Sequence, residues 1–280
     1  MKVILICIGN YQQYILDNIE NLHLHNNKDI TVITEKEYFD YFEEYEIELV
    51  DRNTLDDLSF NELSLLDKDF RNGFTHFCSL RFFYLYSYLN KNNIEDCIHI
   101  ENDVLIYYDL NNTLFSSEKL CACFDCESRV IPSVIYIPKP STLKYILDHY
   151  DNQLNDMQNF GRHADVIEKL PIFNDTRHML SHHFNKYNII FDAAALGQYL
   201  GGVDERNIPG NTEGFINETS LIKFNIYNFY WKKINNLYCP FIEINGESIR
   251  IFNLHIHCKK LYKFVSSNPI ENDYITIQLP

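Results

Sequence analysis

Six apolar residues in a row, Val3 to Ile8, stop at Gly9 and Asn10 and are followed by Tyr11, Tyr14, Ile15, Ile19 and Leu22 at helical spacing. The run is too short for the apolar core of a signal peptide and has the length of a buried strand. A second β-type run, Asp29 to Thr34, makes the first fifty residues read as β-α-β. That unit builds parallel sheets and leaves ligand sites at the C-terminal ends of the strands.

The rest of the chain fits one core. With 280 residues, 46% of them hydrophobic, there is enough apolar surface to close a single domain over 1–280. No stretch approaches the roughly 18 consecutive apolar residues of a membrane span, and neither an internal repeat nor a dividing linker is visible. The expected location is a cytosol-like, cytoplasmic compartment. There, eight cysteines read as reduced thiols rather than a disulfide framework, and the sequons at Asn111 and Asn217 carry no meaning. Cys121, Cys123 and Cys126 could be taken for a zinc nest, but they lie in an apolar strand pattern with no second cysteine pair near in sequence, and closed zinc sites want four ligands. A net charge of -15 repels a polyphosphate backbone, which argues against nucleic acid and means that an anionic small ligand needs a local positive pocket.

Between Phe74 and Leu89 the large side chains at 74, 77, 78, 85, 88 and 89 form one helical stripe, and Arg81 falls on it. A guanidinium carried inward is costly unless an anion meets it. Either a core carboxylate or the carboxylates or phosphates of a nearby site would serve. Further strands are expected over Ile98–Tyr107, 119–124 and 133–138, then a helix opened by Pro140 with Ser141 as cap. Beyond it the pattern predicts a helix over Asp175–Phe184, a strand over Asn188–Phe191 running into Asp192, a long ordered loop over Gly197–Gly214, and a last strand over Ser248–His257. The acidic, aromatic stretch 35–48 fits a helix or a loop with a short strand equally well.

Two segments carry candidate chemistry. Ile98-His-Ile-Glu-Asn-Asp-Val-Leu-Ile-Tyr107 places Glu101 and Asp103 inside an apolar run. Acids two apart in a strand share a face and are tolerated together when a cation lies beside them. The pair is either a strand end emerging into a polar loop or a hard-metal site of magnesium or manganese. Near the C-terminus, in Asn253-Leu-His-Ile-His-Cys-Lys-Lys260, His255 and His257 share a strand face and run into Lys259, Lys260 and Lys263. This looks like a metal ligand followed by phosphate-neutralising charge.

The pattern H-x-E-x-D-V-L after a helix bearing Arg81, with the terminal N-L-H-I-H-x-K, resembles the nucleotide-sugar glycosyltransferases of the GT-A fold, whose D-x-D motif bridges the donor diphosphate through manganese or magnesium. Phe191-Asp-Ala-Ala-Ala-Leu-Gly-Gln-Tyr-Leu-Gly-Gly-Val-Asp204 with Asn-Thr-Glu-Gly-Phe-Ile-Asn217 resembles a stretch that recurs in viral and bacterial members of that group. The resemblance implies an α/β, GT-A-like, Rossmann-type domain with a mainly parallel central sheet flanked by helices. In it, residues 1–110 would form the nucleotide-sugar half and 111–280 the acceptor half. It makes Asp103 the direct metal ligand, Glu101 its partner toward the metal, ribose or sugar, His255 or His257 a third ligand, and Lys259 a phosphate contact. Ile8, Gly9 and Asn10 would line the base and Arg81 would lie close to the donor. The departure is Glu101, where the motif usually has Asp. Asp192 and Asp156 are the candidates for a sugar-facing or base role. The implied partners are a nucleotide diphosphate sugar and a glycan or protein acceptor.

Particular residues also fit other classes. His178 and His182 have the i, i+4 spacing of a helical zinc hydrolase, but Met179 stands where its glutamate belongs. A nucleotidyltransferase would also hold a nucleotide diphosphate through acids on a strand. A non-catalytic carbohydrate-binding protein would use Tyr227, Phe229, Tyr230 and Trp231 as a stacking surface.

Overall fold

The structure, a computed structural model, describes residues 1–112, 114–174, 179–204, 215–216, 221–222 and 224–278. The chain opens with β1 (Lys2–Cys7), α1 (Ile15–Leu24), β2 (Ile30–Thr34) and β3 (Glu48–Asp51). The open stretch 35–48 resolves into a 3₁₀ helix over Lys36–Phe42 and the start of β3. The short α2 (Phe60–Leu63) and the long α3 (Phe74–Asn92) lead into β4 (Cys97–Ile100) and β5 (Val104–Ile106). Next come β6 (Leu120–Cys126), β7 (Arg129–Ile137), α4 (Pro140–Leu147), α5 (Asp156–Gly161) and β8 (Ile167–Lys169).

The central sheet has the order β3-β2-β1-β4-β7-β6-β8. From β3 to β4 every pairing is parallel; β7 is antiparallel to β4 and β6, and β8 returns parallel to β6. This is an α/β arrangement with a mainly parallel sheet covered on both faces, which explains why β1 is apolar without alternation. Val3, Leu5 and Cys7 pack on Ile15, Ile19 and Leu22 of α1. Ile4 and Ile6 pack on the other face with Leu80, Phe82 and Leu85 of α3 and Leu143 and Ile146 of α4.

The second half adds the hairpin β9 (Phe173–Asn174) and β10 (Met179–Leu180), α6 (Phe184–Tyr187), the pair β11 (Phe215–Ile216) and β12 (Leu221–Ile222), and the run β13 (Asn228–Ile234), β14 (Leu237–Ile244) and β15 (Glu247–Arg250). Then β16 (Asn253–His255) pairs antiparallel with β5, and β17 (Thr276–Ile277) lies beside β13. Leu105, Tyr107, Leu254 and Ile256 enter a third core with Trp231, Phe241 and Ile242, so the β5–β16 ribbon ties the smaller sheet to the end of β4.

Several expected elements differ. The strand over Ile98–Tyr107 breaks after Ile100, and the strand over Ser248–His257 breaks between Arg250 and Asn253, because each half pairs with a different partner. The helix expected over Asp175–Phe184 is absent from its described part: Leu180 pairs with Phe173 in a hairpin, and only Phe184–Tyr187 is helical. Asn188–Phe191 makes a single bridge, Ile190 to Ile251, rather than a strand. Lys139, not Ser141, is the residue capping α4, without a side-chain bond. Within the expected loop, Gln198–Gly202 makes a short coil of chain kinked at Leu200 and at Gly201, whose φ is +100°. His178, Asn217 and residues 205–214 lie outside the described residues. Phe229 and Trp231 are buried, which leaves the four aromatics no continuous stacking surface. Cys121 and Cys123, on β6, are buried in the core on the α1 side of the sheet. Among the described residues, no helix is long and apolar enough to cross a membrane.

Candidate active site

The break after Ile100 makes the site. Residues 101–103 form a tight turn, closed by the Val104 amide donating to the Glu101 carbonyl at 3.1 Å. The Asn18 amide of α1 donates to the carbonyls of Glu101 and Asn102 at 3.3 and 3.1 Å. Asn102 donates to the Ile6 carbonyl and to Gln12 Oε1, both at 2.8 Å. Glu101 and Asp103 therefore converge through a braced turn and not through strand alternation. The asparagine between the acids carried this signal, since its short amide can tie a turn to a neighbouring strand.

His255 comes from the last residue of β16, opposite Val104. Its Nε2 lies 3.2 Å from Glu101 Oε2 and 3.2 Å from Asp103 Oδ2. Ligand atoms of Glu101, Asp103 and His255 all lie within 4.8 Å of one another, the one such group of three among the described residues. His257 lies just past the strand with its ring edge-on to His255, centroids 4.2 Å apart.

The surrounding charge is paired. Arg81 Nη1 lies 2.5 Å from Glu101 Oε1, and Nη2 lies 3.0 Å from Asp156 Oδ2. The stripe on α3 thus carries its guanidinium to a carboxylate of the acidic turn and to the first residue of α5, as the inward position of Arg81 required. Lys259 Nζ pairs with Asp103 Oδ2 and lies over the Tyr14 ring. Tyr14 carried no motif that would single it out. Burial would push the Asp103 carboxyl up, but Lys259 and His255 outweigh it and hold it well below the usual carboxylate range. Glu101 is also lowered, burial being outweighed by Arg81 and His255. Asp156, on the same guanidinium, is raised because burial prevails over Arg81 and Glu101 repels it. His255 is raised, its burial overcome by Asp103 and Glu101, whereas burial and His255 lower His257 to about 3.

Asp192 reaches the site through backbone. It is fully buried, and it accepts the amides of Ala195, Leu196 and Gly197 at 2.7, 2.8 and 2.7 Å and that of His255 at 2.9 Å. The turn Ile8–Asn10 ends β1. Gly9 donates to Glu35 Oε1 at 2.8 Å, and Arg52 Nε lies 3.1 Å from the same oxygen. Gly9 has φ of +84°, and a Cβ there would come 2.7 Å from the Phe77 ring. Phe77 also lines a cavity of about 230 Å³ with Arg52, Lys68, His76 and Tyr84. One helical turn along α3, Arg81 faces the carboxylates. Glu35 and Arg52 were missed in the sequence because nothing local marks them as partners of Gly9.

Two carboxylates and an imidazole form a donor set suited to manganese or magnesium, with oxygen ligands predominating. The ring leaves Nδ1 of His255 buried without a hydrogen-bond partner, while Nε2 faces both carboxylates, so the ring already presents one nitrogen to the position a cation would take.

No family model matches the chain, and no curated protein matches it. Among solved structures it is similar to the galactosyltransferase LgtC in complex with donor and acceptor sugar analogues, at 10% identity over 61% of this chain and 73% of that one, TM-score 0.39. It is similar to apo mouse xyloside xylosyltransferase 1, at 10% identity over 60% and 84%, TM-score 0.38. It is also similar to a cytidylyltransferase from Leptospira borgpetersenii, at 12% identity over 67% and 84%, TM-score 0.39. The mixed α/β architecture itself, a mainly parallel sheet flanked by helices, is the one expected of a GT-A-like fold.

Proposed function

We propose that the chain is a metal-dependent glycosyltransferase that moves a sugar from a nucleotide diphosphate donor to a glycan or protein acceptor. The observation that carries this reading is the meeting of Glu101, Asp103 and His255 at the C-terminal end of a parallel strand, with Arg81 and Lys259 supplying positive charge beside them. Among the described residues no second group of three metal-ligating side chains lies together. Asp103 and His255 would hold manganese or magnesium, and Glu101 would complete the set while Arg81 fixes its orientation. When bound, the cation would stabilise the departing diphosphate.

The other roles fall to the protein's own groups. The turn Ile8–Asn10, anchored through Glu35 and Arg52, and the adjoining cavity would take the nucleoside. Lys259 would receive phosphate oxygen. His257 would limit the movement of the His255 ring. Asp156, engaged by Arg81, and Asp192, engaged by four amides, act as positioning residues in this reading: the first orients Arg81, the second the backbone of His255. The residues of 1–110 would carry the nucleotide, while 111–280 would face the acceptor and lend His255 and Lys259 to the donor site.

Incubating the protein with a panel of nucleotide sugars, with and without manganese, tests this directly. Metal-stimulated release of nucleoside diphosphate, lost in Asp103→Asn, is the expected result. Release of pyrophosphate from nucleoside triphosphate and sugar phosphate would instead make it a nucleotidyltransferase, and glycan binding without turnover would make it a binding protein.

A further inference from the structure

The two acidic residues of the turn have their charge met by cations of different freedom. Arg81 has a side chain only 9% exposed, makes two ion pairs, and lies against the Phe82 ring at 4.7 Å. It cannot leave without breaking its pairs to the buried Asp156 and the half-buried Glu101. Lys259 has a side chain 40% exposed and sits on a turn residue with φ of +61°. That turn starts where the Ile256 amide donates to the Asp103 carbonyl at 2.9 Å, so the Lys259 backbone is anchored close to Asp103 while its side chain, held by one ion pair, keeps an open side toward solvent. The oxygen it holds, Asp103 Oδ2, is the same one that faces His255 Nε2 at 3.2 Å. An ammonium therefore occupies the oxygen that a divalent cation would share with His255.

We propose that Lys259 determines the form of ligand the site accepts: the complex of a divalent cation with a diphosphate, in preference to the free cation. The inference rests on the proposed cation site at Glu101, Asp103 and His255. A free cation has to displace the ammonium from Asp103 and leave it beside another positive charge, with no anion to receive it. A diphosphate arriving with the cation brings about two negative charges, to which the flexible lysine stem can swing while its backbone stays in place. Loss of one ion pair is offset by gain of another only when both ligands come together. By linkage, cation and diphosphate must tighten each other by the same factor, and Lys259 is the residue through which part of that coupling passes.

Calorimetric titration of manganese into the full chain, with and without inorganic pyrophosphate, tests the idea in the native protein, Lys259→Met and Asp103→Asn. Asp103→Asn also serves as the blank for chelation by pyrophosphate. Lys259→Met should bind manganese alone about tenfold more tightly than the native protein, and pyrophosphate should tighten manganese about tenfold in the native protein but far less in the variant. Equal affinities of the native protein and Lys259→Met for manganese alone would overturn the proposal and leave the cation site standing. If the native protein and Lys259→Met both fail to bind manganese, with pyrophosphate or without, the cation site itself is wrong and the proposal falls with it. Lys259→Gln replaces the methionine variant if a melting curve shows that the latter does not fold.

Discussion

Arg81 is one cation shared by two acids, the buried Asp156 and the half-buried Glu101. Removing one partner of such a pair costs more than the pair ever contributed, because a charge left behind, here that of Asp156, stays buried. Arg81→Met should therefore lower unfolding stability by roughly 3–5 kcal/mol. Arg81→Lys should recover only part of this, since a single ammonium cannot reach both acids as a planar fork does. Urea denaturation of the three proteins decides it, and a loss below about 1 kcal/mol for Arg81→Met would mean that the charges relax toward water. The need for an anionic partner was legible from the helical stripe. Which anions answer it was not, because Asp156 lies 75 residues away in sequence.

At the scale of elements, the site depends on how closely the loop Asp192–Gly197 packs on the end of β16. A Cβ at Gly197 would fall 2.4 Å from the His255 carbonyl oxygen, a backbone atom that cannot step aside alone. Gly197→Ala is thus an overpacking change, with an expected cost of about 1–3 kcal/mol. It should also weaken manganese binding by moving His255 away from Asp103. A melting curve with a manganese titration reads both; a variant as stable as the native protein and binding manganese equally well would show that the loop and strand are not coupled. The turn between β4 and β5 teaches the same lesson. The acids are visible in the sequence, where strand alternation alone would put them on one face. Apolar residues on both sides of a short turn look continuous when read one after another, and only the change of pairing partner, from β7 to β16, exposes the break.

For the whole molecule, buried histidines set part of the acid response. Burial and the Arg250 charge lower His25 to about 4, and burial and Arg81 lower His99 to about 3. Both folded values lie below the ordinary histidine value near 6.5, so between that value and about 4 the unfolded chain binds more protons than the folded one. The stability they contribute is present above about 6.5 and is lost as pH falls, by up to about 1.4 kcal/mol per pH unit for each residue. His255 is shifted the opposite way and partly offsets them. Urea midpoints from pH 7.5 to 5, compared with those of His99→Gln, should show a shallower fall in the variant; parallel curves would mean that His99 is not the source.

The sequence by itself determined the β-α-β opening, the burial of its first strand, the inward placement of Arg81, and the residue types of the site. These follow from periodicity and composition, which act between near neighbours along the chain. The tertiary structure decided how those residues were paired. It set Lys259 on Asp103 across 156 residues and gave both oxygens of Asp192 to backbone amides. It also broke two expected strands so that their halves could join different sheets. The physical reason is that a buried charge takes the partner that packing brings within reach, and the distance that matters to it is measured through space, where sequence order has no direct hold.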